Sequence, residues 1–122
     1  MESVVKLLET KENDIMDVFI NKWNGNISIK ARNKRTYLYI RKSPIGYVLA
    51  NIDLENQRQG TLTSILDILI GISKAQGFSH IKFESVMSDA MVEFCKKNNF
   101  YKVNDCYMFD GLKYGDYILD LA

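Results

Sequence analysis

Apolar residues in this chain recur at two spacings, and the changes between them mark out its elements. After a short apolar stretch over residues 4–8, Thr10 stands where a helix cap would. Ile15, Met16, Phe19, Ile20 and Trp23 follow at helical spacing up to a stop at Asn24-Gly25, so a helix is expected there. Three strand-like runs come next: residues 27–31 alternate, residues 36–41 are rich in aromatic and β-branched side chains, and residues 47–54 form the third. Turns at Asn33-Lys34 and Ser43-Pro44-Ile45-Gly46 separate them, which predicts an antiparallel meander. Over residues 62–75, Leu62, Ile65, Leu66, Leu69 and Ile72 make one helical stripe that Ile68 and Ile70 widen almost all round, as in a helix buried on a sheet and ended by Gly77. A strand over 81–86, a helix over 89–97 stopped at Asn98-Asn99, and two strands within 101–121 around Gly111 and Gly115 complete the pattern.

The order is helix, three strands, helix, strand, helix, two strands. It predicts an α+β (α/β) fold: a mixed central sheet, an antiparallel meander followed by a β-α-β crossover, and helices on both faces. With 122 residues, 47% of them hydrophobic, the chain is expected to form a single domain over 1–122 that folds without metal or disulfide staples. A net charge of +1 supplies no global field for nucleic acid or an anionic membrane. The first residues lack a signal peptide's basic-then-apolar pattern and no apolar run reaches spanning length, so a cytoplasmic protein is expected. Cys95 and Cys106 are not in a C-x-x-C arrangement and are expected to be reduced, and His80 stands alone, so no metal site is expected.

The informative point is the crossover, where a strand ending in Asp53-Leu54-Glu55 runs through Asn56-Gln57-Arg58-Gln59-Gly60-Thr61 into the apolar helix. A helix N-terminus presents unpaired N–H groups and the positive end of its dipole, and Gly60 lets an anion approach the backbone, so phosphate is the natural ligand. The spacing alone is unspecific, because such a turn often holds Gly for close packing. A Walker loop is excluded by the missing Gly-Lys-Ser/Thr and a Rossmann fingerprint by the missing glycines.

Its surroundings sharpen the reading. Gln57-x-x-Gly60, after the 47–53 strand and before Thr63-Ser64-Ile65-Leu66, resembles the Q/R-x-x-G-x-G/A signature of the GNAT superfamily of acyl-CoA-dependent N-acetyltransferases. The resemblance runs from about Thr36 to Phe100. Ile45-Gly46-Tyr47-Val48 is similar to the start of a strand after the hairpin turn, Ile81-Lys82-Phe83-Glu84 to the fifth strand, and Phe94-Cys95-Lys96-Lys97-Asn98-Asn99-Phe100 to the F-Y-x-K-x-G-F helix end. The resemblance implies that the fourth and fifth strands splay apart, that the pantetheine of acetyl-CoA pairs with the backbone of Ile52 and Leu54, and that Gln57, Arg58, Gln59, Gly60, Thr61, Leu62 and Thr63 take the pyrophosphate. Leu62 stands where the family usually has Gly or Ala, and it would crowd the cofactor or turn into the core.

The resemblance further implies direct attack of an amine on the acyl thioester, which needs a base for the ammonium proton and an acid for the leaving thiolate. Glu84 is the first candidate base, with a strand-end pairing to a neighbouring Lys such as Lys82 as the competing role; Asp53 is the second. Cys95 occupies the place of the family's usual acidic Tyr and is either that acid or an apolar filler. Ser88 replaces an Asn and could still bond the pantetheine, while Tyr107 and Tyr114 are alternative donors. Met87, Met91 and Met108 read as core or cleft filler. Lys30, Arg32, Lys34, Arg35, Arg41 and Lys42 cluster around Tyr37 and Tyr39 on the hairpin, as a solvated edge blunted by charge or as a contact for a nucleic acid or the cofactor's ribose phosphate. One helix precedes the meander where the family has two walling the acceptor site, so a macromolecular amine would fit. Residues 117–121 either complete the chain's own sheet or pair with a second copy as a homodimer. The expected function is acetyl-CoA-dependent N-acyl transfer to a protein or small-molecule amine; the alternative is a GNAT-like module that binds CoA or a protein partner without turnover.

Overall fold

A computed structural model describes residues 1–55, 60–105 and 113–121. The first helix, α1, spans Glu2–Glu12, where Val4 and Leu8, one turn apart, are fully buried; Asn13 ends it in the left-handed region with φ 51°. Strand β1 covers Met16–Ile20, β2 Ile27–Ala31, β3 Tyr37–Lys42 and β4 Gly46–Asp53. Helix α2 spans Thr61–Ala75, β5 His80–Val86, α3 Asp89–Lys97, β6 Tyr101–Asp105 and β7 Gly115–Asp120. One seven-stranded sheet runs β1-β2-β3-β4-β5-β7-β6, antiparallel except for the β4–β5 pair.

Two expectations about the amino-terminal part change. The helix expected over Ile15 to Trp23 is strand β1 and its turn, and the helix lies earlier, where the sequence reads only as a short apolar stretch. Helical spacing misleads here because β1 is an edge strand. Val18, Phe19 and Ile20 are all exposed, so burial does not impose alternation on them, and the strand is fixed by its ladder to β2 along one edge. The meander therefore has four strands.

Helices α2 and α3 meet the same side of the sheet. Strand register puts Leu38, Ile40, Leu49, Ile81, Phe83 and Tyr117 on one side of the sheet. Helix α3 meets that side through Phe94, whose ring lies 6.0 Å from that of Phe83, and the end of α2 meets it through Gln76, which donates to the Tyr47 hydroxyl at 2.8 Å. Helix α1 packs on α2. The physical reason is that the β4-α2-β5 and β5-α3-β6 crossovers step across the sheet in the same direction, and right-handed crossovers then put their helices on the same side. The opposite face is left to half-buried side chains, including Tyr37, Tyr39, Arg41, Val48, Lys82 and Ile118.

Strand order decides two further expectations. Strand β7 lies between β5 and β6, so the tail completes the chain's own sheet and is not available to a second copy. The β2–β3 hairpin is interior, and among the described residues the free edges are β1 and β6. Among the described residues no helix is long and apolar enough to cross a membrane.

Candidate functional site: a wedge between parallel strands

The β4–β5 ladder is short and closed at one end only. It runs from Gly46 opposite His80 to Leu49 opposite Phe83 and stops. At its closed end the backbones nearly touch, because a Cβ on Gly46 would lie 1.8 Å from the His80 carbonyl oxygen. Beyond Leu49 the strands bend apart for a local reason on each side. In β4 the register with β3 jumps from Leu49 opposite Ile40 to Asn51 opposite Tyr39, leaving Ala50 as the extra residue of a bulge. In β5, Ser85 adopts φ 54° and turns its N–H to Asp116 Oδ1 at 2.8 Å. The resulting wedge encloses a cavity of about 460 Å³ whose walls include Asn51, Ile52, Glu84, Met87, Ser88 and Met91.

A second cavity of about 280 Å³ continues the groove to the start of α2, with Ile52, Ser88 and Met91 common to both. Its far wall is Gly60, Leu62 and Thr63, and Leu54 and Phe94 close its sides. Gly60 caps α2 with φ 67°; among the described residues no side chain caps the helix, and its first turn holds no acidic residue. The amides of that turn therefore retain their capacity for an anion. Among the described residues, an added Cβ on Gly60 would meet nothing within 4 Å. The Thr61 side chain is fully buried with its hydroxyl unpartnered among the described residues, and Leu62 lines the cavity in contact with the core. Gln57, Arg58 and Gln59 lie outside the described residues.

A mixed sheet split between a parallel pair, with a groove leading from the split to an uncapped helix start, can be compared with known proteins. No family model matches the sequence, and no curated protein matches it. Solved structures do match. The ribosomal-protein-S18-alanine N-acetyltransferase from Escherichia coli superposes with a TM-score of 0.57 at 16% identity, over 84% of this chain and 72% of that one. The PaiA N-acetyltransferase from Thermoplasma acidophilum, solved in complex with coenzyme A, gives 0.55 at 16% identity over 98% and 70%. A putative acetyltransferase of the GNAT family from Desulfovibrio desulfuricans gives 0.57 at 15% identity over 80% and 69%. The chain has the GNAT fold.

On the GNAT fold, the sequence candidates separate. Glu84 lines the wedge and is ion-paired with Arg41 of β3, across the intervening strand β4, and not with Lys82, which pairs with Asp116 at 3.3 Å. Asp53 bonds the Arg35 Nε at 3.0 Å and lines neither cavity. Cys95 is fully buried and lines neither cavity, and burial pushes its thiol up to about 12. Ser88 caps α3, accepting from the Met91 N–H at 3.2 Å, and it lines both cavities. Tyr114 donates to Asp89 at the start of α3, and Tyr107, Cys106 and Met108 lie outside the described residues. The hairpin cations are largely engaged: Arg32 with Asp17, Lys34 with the Glu12 carbonyl, Arg35 with Asp53, Arg41 with Glu84, and Lys42 over the Phe78 ring. Sequence reasoning missed Arg41 as a site residue. The signal was its alternation against buried Ile40, which puts it on the uncovered face in register with β4.

Proposed function

We propose that this chain is an acyl-CoA-dependent N-acyltransferase that moves an acetyl group from acetyl-CoA to a primary amine, of a protein or a small molecule, by direct attack. What carries the reading is the continuous groove from the open wedge to the uncapped, acid-free start of α2, with room over Gly60 for a diphosphate. When bound, acetyl-CoA supplies the activated acyl group as a thioester. The amides of Thr61, Leu62 and Thr63, with Gln57, Arg58 and Gln59, hold the pyrophosphate, and the backbone of Ile52 and Leu54 pairs with the pantetheine. The β5 side of β4 beyond Leu49 has no ladder partner there, which supports that pairing. Ser88 donates a hydrogen bond from the wall opposite.

Glu84 takes the proton from the incoming ammonium, and Arg41 fixes the carboxylate at the mouth of the wedge. Asp53, held by Arg35 outside both cavities, is the weaker candidate. The uncovered sheet face beside Glu84 leaves the approach open to an amine on a macromolecule. A second reading, a module that binds CoA or a protein partner without turnover, is favoured by Cys95 being sealed, Glu84 being paired and Leu62 standing on the cavity wall.

The experiment is a thermal melt with CoA, followed by an assay for released thiol with acetyl-CoA and an amine panel. A ligand that binds only the folded state at about 100 times its Kd stabilises it by about 2.7 kcal/mol, so CoA is expected to raise Tm, and Gly60→Glu, which puts bulk and negative charge at the cradle, to remove the rise. Glu84→Gln is expected to cut turnover by roughly 10²- to 10⁴-fold with the CoA shift intact. No shift in the parent protein would overturn the reading, and a shift without thiol release would decide for the binding module.

A further inference from the structure

The two free edges of the sheet are built differently. Strand β6 is defended as natural edges are, with a bulge between Lys102 and Asn104 and a lysine in mid-strand. Strand β1, Met16-Asp17-Val18-Phe19-Ile20, has no bulge against β2, no proline and no lysine. Its single charge, Asp17, is neutralised by Arg32 of the same chain at 2.7 Å. Large apolar side chains crowd it: Ile15 is 51% exposed, Val18 43%, Phe19 67%, Ile20 56% and Trp23, in the turn beyond, 96%.

We infer that β1 is the site where a second copy of this chain pairs, strand to strand and antiparallel, about a two-fold axis through Val18. The backbone sets the choice. Asn21 donates to the Asn26 carbonyl and Arg32 donates to the carbonyl of Ile15, so the odd residues of this strand turn their backbone groups inward to β2. Val18 and Ile20 turn theirs outward, and a row of unpaired N–H and C=O groups is satisfied by another strand better than by a lipid or an apolar pocket. A two-fold at Val18 sets Val18 opposite the partner's Val18 and Ile20 opposite the partner's Met16. Asp17 then faces the partner's Phe19, so no like charges meet. The same register carries Asp14 to the partner's Lys22, opposite charges at each rim. Asp14 is held charged by hydrogen bonds from the backbone and side chain of Asn33, despite some desolvation.

The area suffices. Five large side chains, exposed by roughly 100 Å² each, offer about 500 Å² per copy and about 1,000 Å² over both, the lower bound of a specific interface. The product is a continuous sheet through both copies.

Sedimentation equilibrium of the chain from about 1 to 300 µM is expected to show a reversible dimer with Kd of order 10 µM. Val18→Lys, which sets two ammonium groups face to face, should weaken it at least about tenfold while the melting temperature measured in dilute solution stays near the parent's. Val18→Cys should cross-link under mild oxidation, since directly opposed strand residues lie about 5.5 Å apart at Cα, within disulfide range, while Phe19→Cys should not. A parent monomeric throughout overturns the proposal, as does a Val18→Lys dimer of unchanged affinity; cross-linking by Phe19→Cys alone overturns the register.

Discussion

Gly46→Ala tests the closed end of the wedge. The added Cβ would lie 1.8 Å from the His80 carbonyl oxygen and 2.8 Å from the carbonyl carbon, both backbone atoms that cannot rotate away. An ordinary carbon–oxygen contact needs about 3.3 Å, so the strands must part locally by roughly 1.5 Å. That displacement is too large for the neighbouring hydrogen bonds, in which Ser79 and His80 donate to the Ile45 carbonyl at 3.0 and 3.2 Å, to survive intact. Two bonds at about 1 kcal/mol each, with an overpacking cost of about 1–3 kcal/mol, are offset by under about 1 kcal/mol from the stiffer unfolded chain. The expected loss is about 2–5 kcal/mol, or a fall in Tm of order 10 °C. Urea denaturation should be followed by far-UV circular dichroism, because the single tryptophan, Trp23, is already exposed in the folded chain. Gly71→Ala is the control of opposite sign: it lies in α2 with nothing within 4 Å of the added Cβ and should stabilise by up to about 1 kcal/mol. A Gly46→Ala variant within about 0.5 kcal/mol of the parent would refute the close approach of β4 to β5.

Two other outcomes follow from the site's neighbours. Because burial raises the Cys95 thiol from 9.0 to about 12, the unfolded chain loses this proton first as pH rises, so folding stability falls between those values with a slope of at most about 1.4 kcal/mol per pH unit. Cys95→Ala should remove that slope, and equal slopes in urea titrations of both proteins would refute the assignment. For the partly exposed Arg41–Glu84 pair, a double-mutant cycle with Arg41→Gln and Glu84→Gln should give a coupling of at most about 1 kcal/mol in stability. A coupling several times larger would make the pair a structural clasp.

The sequence was most legible where local chemistry and tertiary contact agree. Helix α3 falls at the residues its signals predict, with Asn98 as stop, and the structure adds Ser88 as its cap. Strand β2 and the crossover helix α2 are equally plain, since alternation and a wide apolar stripe both record burial. Strand β1 was illegible for the converse reason: an edge strand exposed on both faces keeps no period set by a core. The side of the sheet taken by each helix was not written in any stripe, although crossover direction determines it once strand order is known. The Arg41–Glu84 pair joins residues 43 positions apart and depends on the register of three strands, which no local pattern encodes. The wedge was expected only through the family resemblance; its causes, the bulge at Ala50 and the turned backbone at Ser85, carry no distinctive residue types.

The bulge at Ala50 has a thermodynamic consequence. A groove made by prising apart an intact ladder would charge each ligand for the hydrogen bonds broken on the way in. Here the ladder ends at Leu49 and Phe83 before any ligand arrives, and the vacant backbone edge belongs to the resting fold. Folding has already met the cost of separation, so an extended amide-bearing ligand gains its pairings with little reorganisation to subtract. Affinity at this edge should then respond weakly to mutations that merely loosen the sheet and strongly to those that let β4 and β5 close.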